Sequence, residues 1–358
     1  MITDHLERTY NELKKSQYPV FIWGAGSMSV EVGSRLKEQG INVCGKFITT
    51  DAQRSHIISS DDPVFTLDEI QNKYSKINVV AGHGHYEKID ALSSCSFIHK
   101  VYVISNPYAQ YKGPDLEYVY QNQDKLDYII SRLADAESQT ALERYIAVSI
   151  TKDIRYLLEA KEICVDGMYG LDAIKITDSE SFVDVGAWEG DSIRSFLKSS
   201  DQKYNKIYAF EPDPTIFQTL QHHYGNKENI FLYRLGLGAK DAELNINRGN
   251  TQSAFLTSGQ ENTNTEKIMI KTLDEALADE PVSLIKISIP FMFTDVLKGG
   301  TSLIRRNRPR MIINVAADDS FALYDAVKWI SELGVAYKLA LRFDFPMPTR
   351  LFLYAYPA

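Results

Sequence analysis

Short, nearly continuous apolar runs alternate along this chain with longer stretches of helical period. Residues 20–23, 41–48, 77–81 and 100–104 read as buried strands. Val30, Val32 and Leu36, with Gly33, suggest a helix packed closely on the sheet between the first two, and 64–70 reads as a strand end running into another helix. From 114 to 162 the period becomes helical: Leu126, Tyr128, Ile129, Ile130 and Leu133 form one group, Leu142, Tyr145, Ile146 and Val148 a second. Asp135 and Ser138 are placed to start the second of these helices. Strands then return at 181–185, 206–211, 230–235, 284–288, 310–315, 335–343 and 350–356. The linker 344–348 is too short for a helical crossover, so the last two form an antiparallel hairpin. An inserted pair, 242–246 and 267–271 with Ser253 between, is expected to shape a cleft mouth.

Alternation of this kind predicts an α/β protein. Two doubly wound, Rossmann-like domains are expected, at 1–112 and 171–358, with a helical linker or lid over 113–170.

Candidate chemistry concentrates at 181–192, SFVDVGAWEGDS, where a strand enters an acidic, glycine-punctuated turn. Gly186 permits the tight turn, Ala187 follows it, and Gly190 opens the next helix with no side chain in the way of a ligand. The following strand ends in Glu211-Pro212, and a carboxylate there can accept from both hydroxyls of a ribose. Asp184, Glu189 and Asp191 would repel a dinucleotide pyrophosphate and attract an amino group and a sulfonium, which favours S-adenosyl-L-methionine over NAD. The plainer reading, that Asp184 and Asp191 only cap the next helix, leaves Glu211 unexplained. The antiparallel last strand points the same way, since it separates a seven-stranded S-adenosylmethionine-dependent methyltransferase sheet from a plain dinucleotide-binding one.

Residues 180 to 356 resemble FkbM-type methyltransferases, through FVDVGAWEGDSIRSF, IYAFEPDPTIFQTL, RLGLGAKDAELNI, KTLDEAL and LIKISIPFMFTDVLKGG. LADAESQTALERYIAVSITKDIRYL resembles the helical lead-in of such proteins. The resemblance implies S-adenosyl-L-methionine held by Asp184, Gly186, Ala187, Glu189, Gly190, Asp191, Glu211, Pro212 and Ser253, and O-methylation of a sugar hydroxyl in glycan or polysaccharide biosynthesis. It also places Tyr169 and Ser288 at the acceptor side, although a packing role for Tyr169 is equally open. At the end of the fourth strand the family carries an Asp, a Glu, a Gly and another Glu, where this chain has Ser288, Pro290, Phe291 and Phe293. Ala316-Ala317 follows the next strand where a histidine is usual, and Phe343 replaces another. Asp295, Asp318, Asp319 and Asp344 are nearby carboxylates. An enzyme and a catalytically degenerate nucleoside-binding or scaffolding relative therefore both remain open. No catalytic residue is assigned.

The first domain offers a second, weaker site. Gly24-Ala25-Gly26 after the first strand is half of a dinucleotide fingerprint, with Ser29 where a third glycine is expected and Asp51 after the next strand. The region resembles the small Rossmann-like modules ahead of sugar-modifying transferases, for which a nucleotide site and a structural or dimerising role are both open. An NAD-dependent reaction centred on Gly24 and Gly26 is a weaker third function, without an identifiable catalytic partner. His83 and His85 lack further ligands close in sequence for a metal, and His222 and His223 read as surface or packing residues.

Composition bounds the partners. A net charge of −8 argues against a nucleic-acid partner. The one basic cluster, Arg305, Arg306, Arg308 and Arg310, reads as a solvated helix end or, more sharply, as a phosphate contact for a nucleotide-linked acceptor. Cys44, Cys95 and Cys164 suggest neither disulfides nor zinc, hence a reducing compartment. The polar start and the lack of an apolar run approaching ~18 residues suggest a cytoplasmic chain without a membrane span. A small-molecule or glycan substrate is expected, and a homo-oligomer is open.

Overall fold

The structure, a computed structural model, describes residues 5–49, 62–82, 89–104, 113–151, 155–158, 160–247, 255–256, 265–289, 292–316 and 322–358. The chain divides into two compact units. Residues 1–115, 143–161 and 346–348 form the first, and 116–142, 162–345 and 349–358 the second.

In order, the first stretch supplies α1 (His5–Lys15), β1 (Val20–Trp23), α2 (Ser27–Glu38), β2 (Val43–Ile48), β3 (Val64–Thr66), α3 (Leu67–Lys73), β4 (Ile77–Ala81), α4 (Ile89–Ser93) and β5 (Ile98–Tyr102). All five strands pair parallel in the order β3-β2-β1-β4-β5, which reverses direction beside β1. Buried crossover strands explain the apolar run at β1 and the one at β4, broken only by Asn78, and every residue of both strands is buried. The helix after β3 starts with a capping box between Thr66 and Glu69.

The helical middle comprises α5 (Leu116–Gln121), α6 (Gln123–Arg132), α7 (Ala136–Thr151) and α8 (Arg155–Leu158). Then come β6 (Ser181–Val185), α9 (Asp191–Ser199), β7 (Lys206–Phe210), α10 (Pro214–Tyr224) and β8 (Ile230–Tyr233). The short strands β9 (Gly236–Leu237), β10 (Ala242–Asn247), β11 (Phe255–Leu256) and β12 (Thr265–Lys271) follow, then α11 (Leu273–Ala276) and β13 (Leu284–Ile287). Last come α12 (Phe293–Gly299), α13 (Thr301–Asn307), β14 (Arg310–Asn314), α14 (Leu323–Glu332), β15 (Tyr337–Phe343) and β16 (Leu351–Pro357).

The main sheet of the second unit has the order β15-β16-β14-β13-β6-β7-β8, with β16 antiparallel to both neighbours and the other pairs parallel. The expected seven strands and terminal hairpin are therefore present. The inserted pair is a real antiparallel ladder, β10 on β12, but it belongs to a separate four-stranded sheet with β9 and β11. From β6 the chain builds outward through β7 and β8, then crosses to β13 on the other side of β6. The carboxyl ends of β6 and β13 thus flank the switch point at which such sheets leave a crevice. No helix among the described residues is long and apolar enough to cross a membrane.

Candidate functional site

The switch point is built on a buried ion pair. Asp184, in β6, is fully buried, and the Lys286 ammonium reaches it from the facing position on β13 at 2.8 Å. Lys286 Nζ also donates to the Gly186 carbonyl at 2.8 Å, tying the glycine turn to the neighbouring strand. Burial pushes the Asp184 carboxyl upward, and Lys286 works against that shift. One carboxylate oxygen of Asp184, Oδ1, is therefore taken up by Lys286 inside the protein. The acidic character of the turn rests instead on the half-buried Glu189 and the exposed Asp191.

The turn itself needs its glycines. Gly186 has φ +74, and a Cβ there would lie 2.6 Å from the Ser288 carbonyl oxygen and the Ile289 side chain. Gly190 has φ +88, and its Cβ would meet the Tyr224 ring at 2.2 Å. Both positions thus exclude side chains by conformation and by space. The N–H groups of Gly186 and Ala187 donate to the Phe210 carbonyl at 3.1 and 3.0 Å, which brings the turn against the end of β7. Gly190 then caps α9 without a side-chain acceptor for that helix's first N–H groups.

Glu211 stands at that end of β7, 7% exposed. Its Oε2 accepts from the Trp188 N–H at 3.0 Å and its Oε1 from the Asp213 N–H at 2.9 Å. A carboxylate oxygen has two lone pairs, so each keeps one for a further donor. Two such acceptor oxygens can take hydrogen bonds from a pair of vicinal hydroxyls. Pro212 bridges to Asp213, whose side chain caps α10 by accepting from the Thr215 and Ile216 N–H groups at 2.8 and 3.0 Å. Burial, only partly offset by the two N–H donors, pushes the Glu211 carboxyl up to about 7.

Trp188 is the unusual member of this turn. Its φ of +46 lies in the left-handed region, which costs a side-chain-bearing residue about 1–2 kcal/mol. His223 Nδ1 lies 3.1 Å from the Glu189 carbonyl oxygen and donates to it in the Nδ1–H tautomer.

On the acceptor side, Ser288 follows β13 and its N–H donates to the Val185 carbonyl at 3.0 Å. Phe293 is buried, while Pro290, Phe291, Asp318 and Asp319 lie outside the described residues. Asp295 pairs with Lys298 on α12 at 3.5 Å. Asp344, which follows β15 at the same carboxyl edge, is held by the Arg350 guanidinium. Burial pushes its carboxyl up against that pairing. Tyr169 is 8% exposed, its ring set edge-on to Phe182 and Phe196, and its hydroxyl donates to the Ser192 carbonyl at 3.3 Å. Its position packs beneath α9.

The remaining candidates fall elsewhere. Gly24, with φ +113, turns the chain after β1, and its N–H donates to the Phe47 carbonyl at 2.8 Å. Gly26 caps α2 in an extended conformation. Asp51, His83, His85 and Ser253 lie outside the described residues. Arg310 binds Glu180 and the Lys175 carbonyl at the amino end of β14, opposite the carboxyl edge. Sequence reading missed the Asp184–Lys286 pairing, because the partners are 102 residues apart.

A seven-stranded sheet with a reversed edge hairpin, a glycine turn at its switch point and a carboxylate closing the next strand define the second unit as a methyltransferase-type α/β domain. Residues 184–340 match the family model of the methyltransferase FkbM domain. Among solved structures, the chain is similar to methyltransferase FkbM from Methylobacillus flagellatus KT, at 18% identity over 98% of this chain and 93% of that one, with a TM-score of 0.63. That similarity establishes a shared fold. An rRNA methylase from Streptococcus thermophilus also matches, at 16% identity over 51% of this chain and 89% of that one, with a TM-score of 0.31, too slight to bear on chemistry. No curated protein matches.

Proposed function

We propose that this chain is an S-adenosyl-L-methionine-dependent methyltransferase that O-methylates a sugar hydroxyl of a glycan or nucleotide-linked sugar. The observation that carries the reading is Glu211, fixed by two backbone donors with one lone pair per oxygen left open beside a side-chain-free turn. S-adenosyl-L-methionine supplies an electrophilic methyl group on a sulfonium. The chain's own part is to seat the ribose on Glu211, to leave room at Gly186 and Gly190, and to bring an acceptor to the carboxyl ends of β13 and β14. The sugar acceptor rests on the family resemblance, as does a place in polysaccharide assembly.

A second reading has its own support. A sugar hydroxyl ionises far above neutral pH, so its methylation gains from a base or a metal. Where the family carries acids, this chain has Ser288 and a buried Phe293. Such a site suits transfer by positioning and desolvation alone, or a nucleoside-binding subunit without turnover.

Calorimetric titration with S-adenosyl-L-methionine, beside Glu211→Ala, tests the donor site. Saturable binding lost in the variant is expected; absence of binding to the natural chain overturns the proposal. Methyl transfer to glycan acceptors by the natural chain would eliminate the second reading. Metal-dependent turnover gained only by Ser288→Asp with Pro290→Glu and Phe293→Glu would favour it.

A further inference from the structure

Trp188 combines three features that packing does not explain. It holds a left-handed backbone between two left-handed glycines, Gly186 at φ +74 and Gly190 at φ +88. Its own N–H fixes Glu211 Oε2, so its side chain leaves the backbone one peptide unit from the proposed ribose seat. The indole is 41% exposed and makes no hydrogen bond or ring contact with another described residue. A glycine would make the same turn and the same N–H donation without strain. An aromatic kept in a strained conformation on a ligand-side rim points to a ligand as its partner.

We propose that the Trp188 indole is the surface on which the adenosine of the methyl donor packs. The proposal rests on the donor reading above and adds a specificity-determining residue to it. A flat, polarisable ring on the residue whose N–H holds the carboxylate selects a nucleoside, whereas Glu211 alone would accept any vicinal diol. It also gives the acidic turn an attraction for the donor that does not depend on charge.

Intrinsic tryptophan emission provides a direct readout, because Trp23 is buried in the first unit and Trp329 lies on α14. Titration with S-adenosylhomocysteine should change the emission of the natural chain in step with the calorimetric binding curve. Trp188→Phe should retain most of the affinity and lose that emission change. Trp188→Gly should bind about tenfold more weakly, the effect of losing one stacked ring. Its Tm should not fall, since glycine relieves the left-handed strain.

Loss of affinity without loss of stability separates a ligand contact from a structural part. If the natural chain binds S-adenosylhomocysteine with no emission change and Trp188→Gly binds equally well, the stacking role is overturned and the donor site stands. A Trp188→Phe variant that binds no better than Trp188→Gly likewise overturns it. If the natural chain does not bind, the donor reading fails and the stacking role fails with it.

Discussion

Two backbone donors ordinarily make a carboxyl more acidic, yet at Glu211 burial outweighs them and pushes it up to about 7. The ionised form is the one that accepts from both ribose hydroxyls. Donor affinity should therefore rise with pH between 6 and 8 and level off above, which binding constants measured across that range will check. Glu211→Gln should bind weakly with a flat profile over the same range. The sign for stability is opposite. A carboxyl raised from 4.5 in the unfolded chain to about 7 in the fold favours folding below 4.5, and that contribution is lost as pH rises through 7. The ligand-ready form is thus the less stable one, a common feature of functional sites. Asp184 and Glu211 have the same formal charge and similar places at strand ends, and the sequence distinguishes them only in part. What sets Asp184 apart is a lysine on a strand that becomes its neighbour only when the sheet crosses over.

Among elements, strands were the most legible feature, because buried strands leave apolar runs that end abruptly at turns. The runs at 181–185 and 284–288 correspond to β6 and β13 within one residue. The hairpin of β15 and β16 followed from a linker too short to cross over. Less legible were the two-residue strands β9 and β11, which carry too few positions for any period to show. The close approach of α12 to the turn after β9 was also hidden. Gly299 ends α12 against the Gly238 carbonyl, whose oxygen would lie 2.0 Å from a Cβ. Backbone faces side-chain position there, so no rotamer can relieve the contact. Gly299→Ala should destabilise the second unit by about 3 kcal/mol, the upper end for overpacking, measured as a lower urea midpoint with unchanged slope.

On the scale of the molecule, the second unit is assembled from distant stretches of chain. Residues 116–142 join a sheet whose last two strands close the sequence. Arg342, 7% exposed on β15, holds them there. Its Nη1 donates to Asp135 Oδ1 at 3.1 Å and Ser138 Oγ at 2.8 Å, and the Leu341 N–H donates to the same hydroxyl at 2.9 Å. Burial pushes the Asp135 carboxyl up, but Arg342 and Ser138 together bring it below its ordinary value. Arg342→Met leaves these acceptors without their cation and should cost about 3–5 kcal/mol. Hydrogen exchange should quicken in α6 before it does in β6 and β13. During synthesis the partners of this clamp emerge 207 residues apart. At about 5–20 residues per second, α6 and the start of α7 spend roughly 10–40 s outside the ribosome before Arg342 exists. The apolar stripe of Leu126 and Ile129, buried in the finished fold, is exposed for that interval. Nascent chains stalled before residue 342 are therefore the form of this protein most dependent on chaperones.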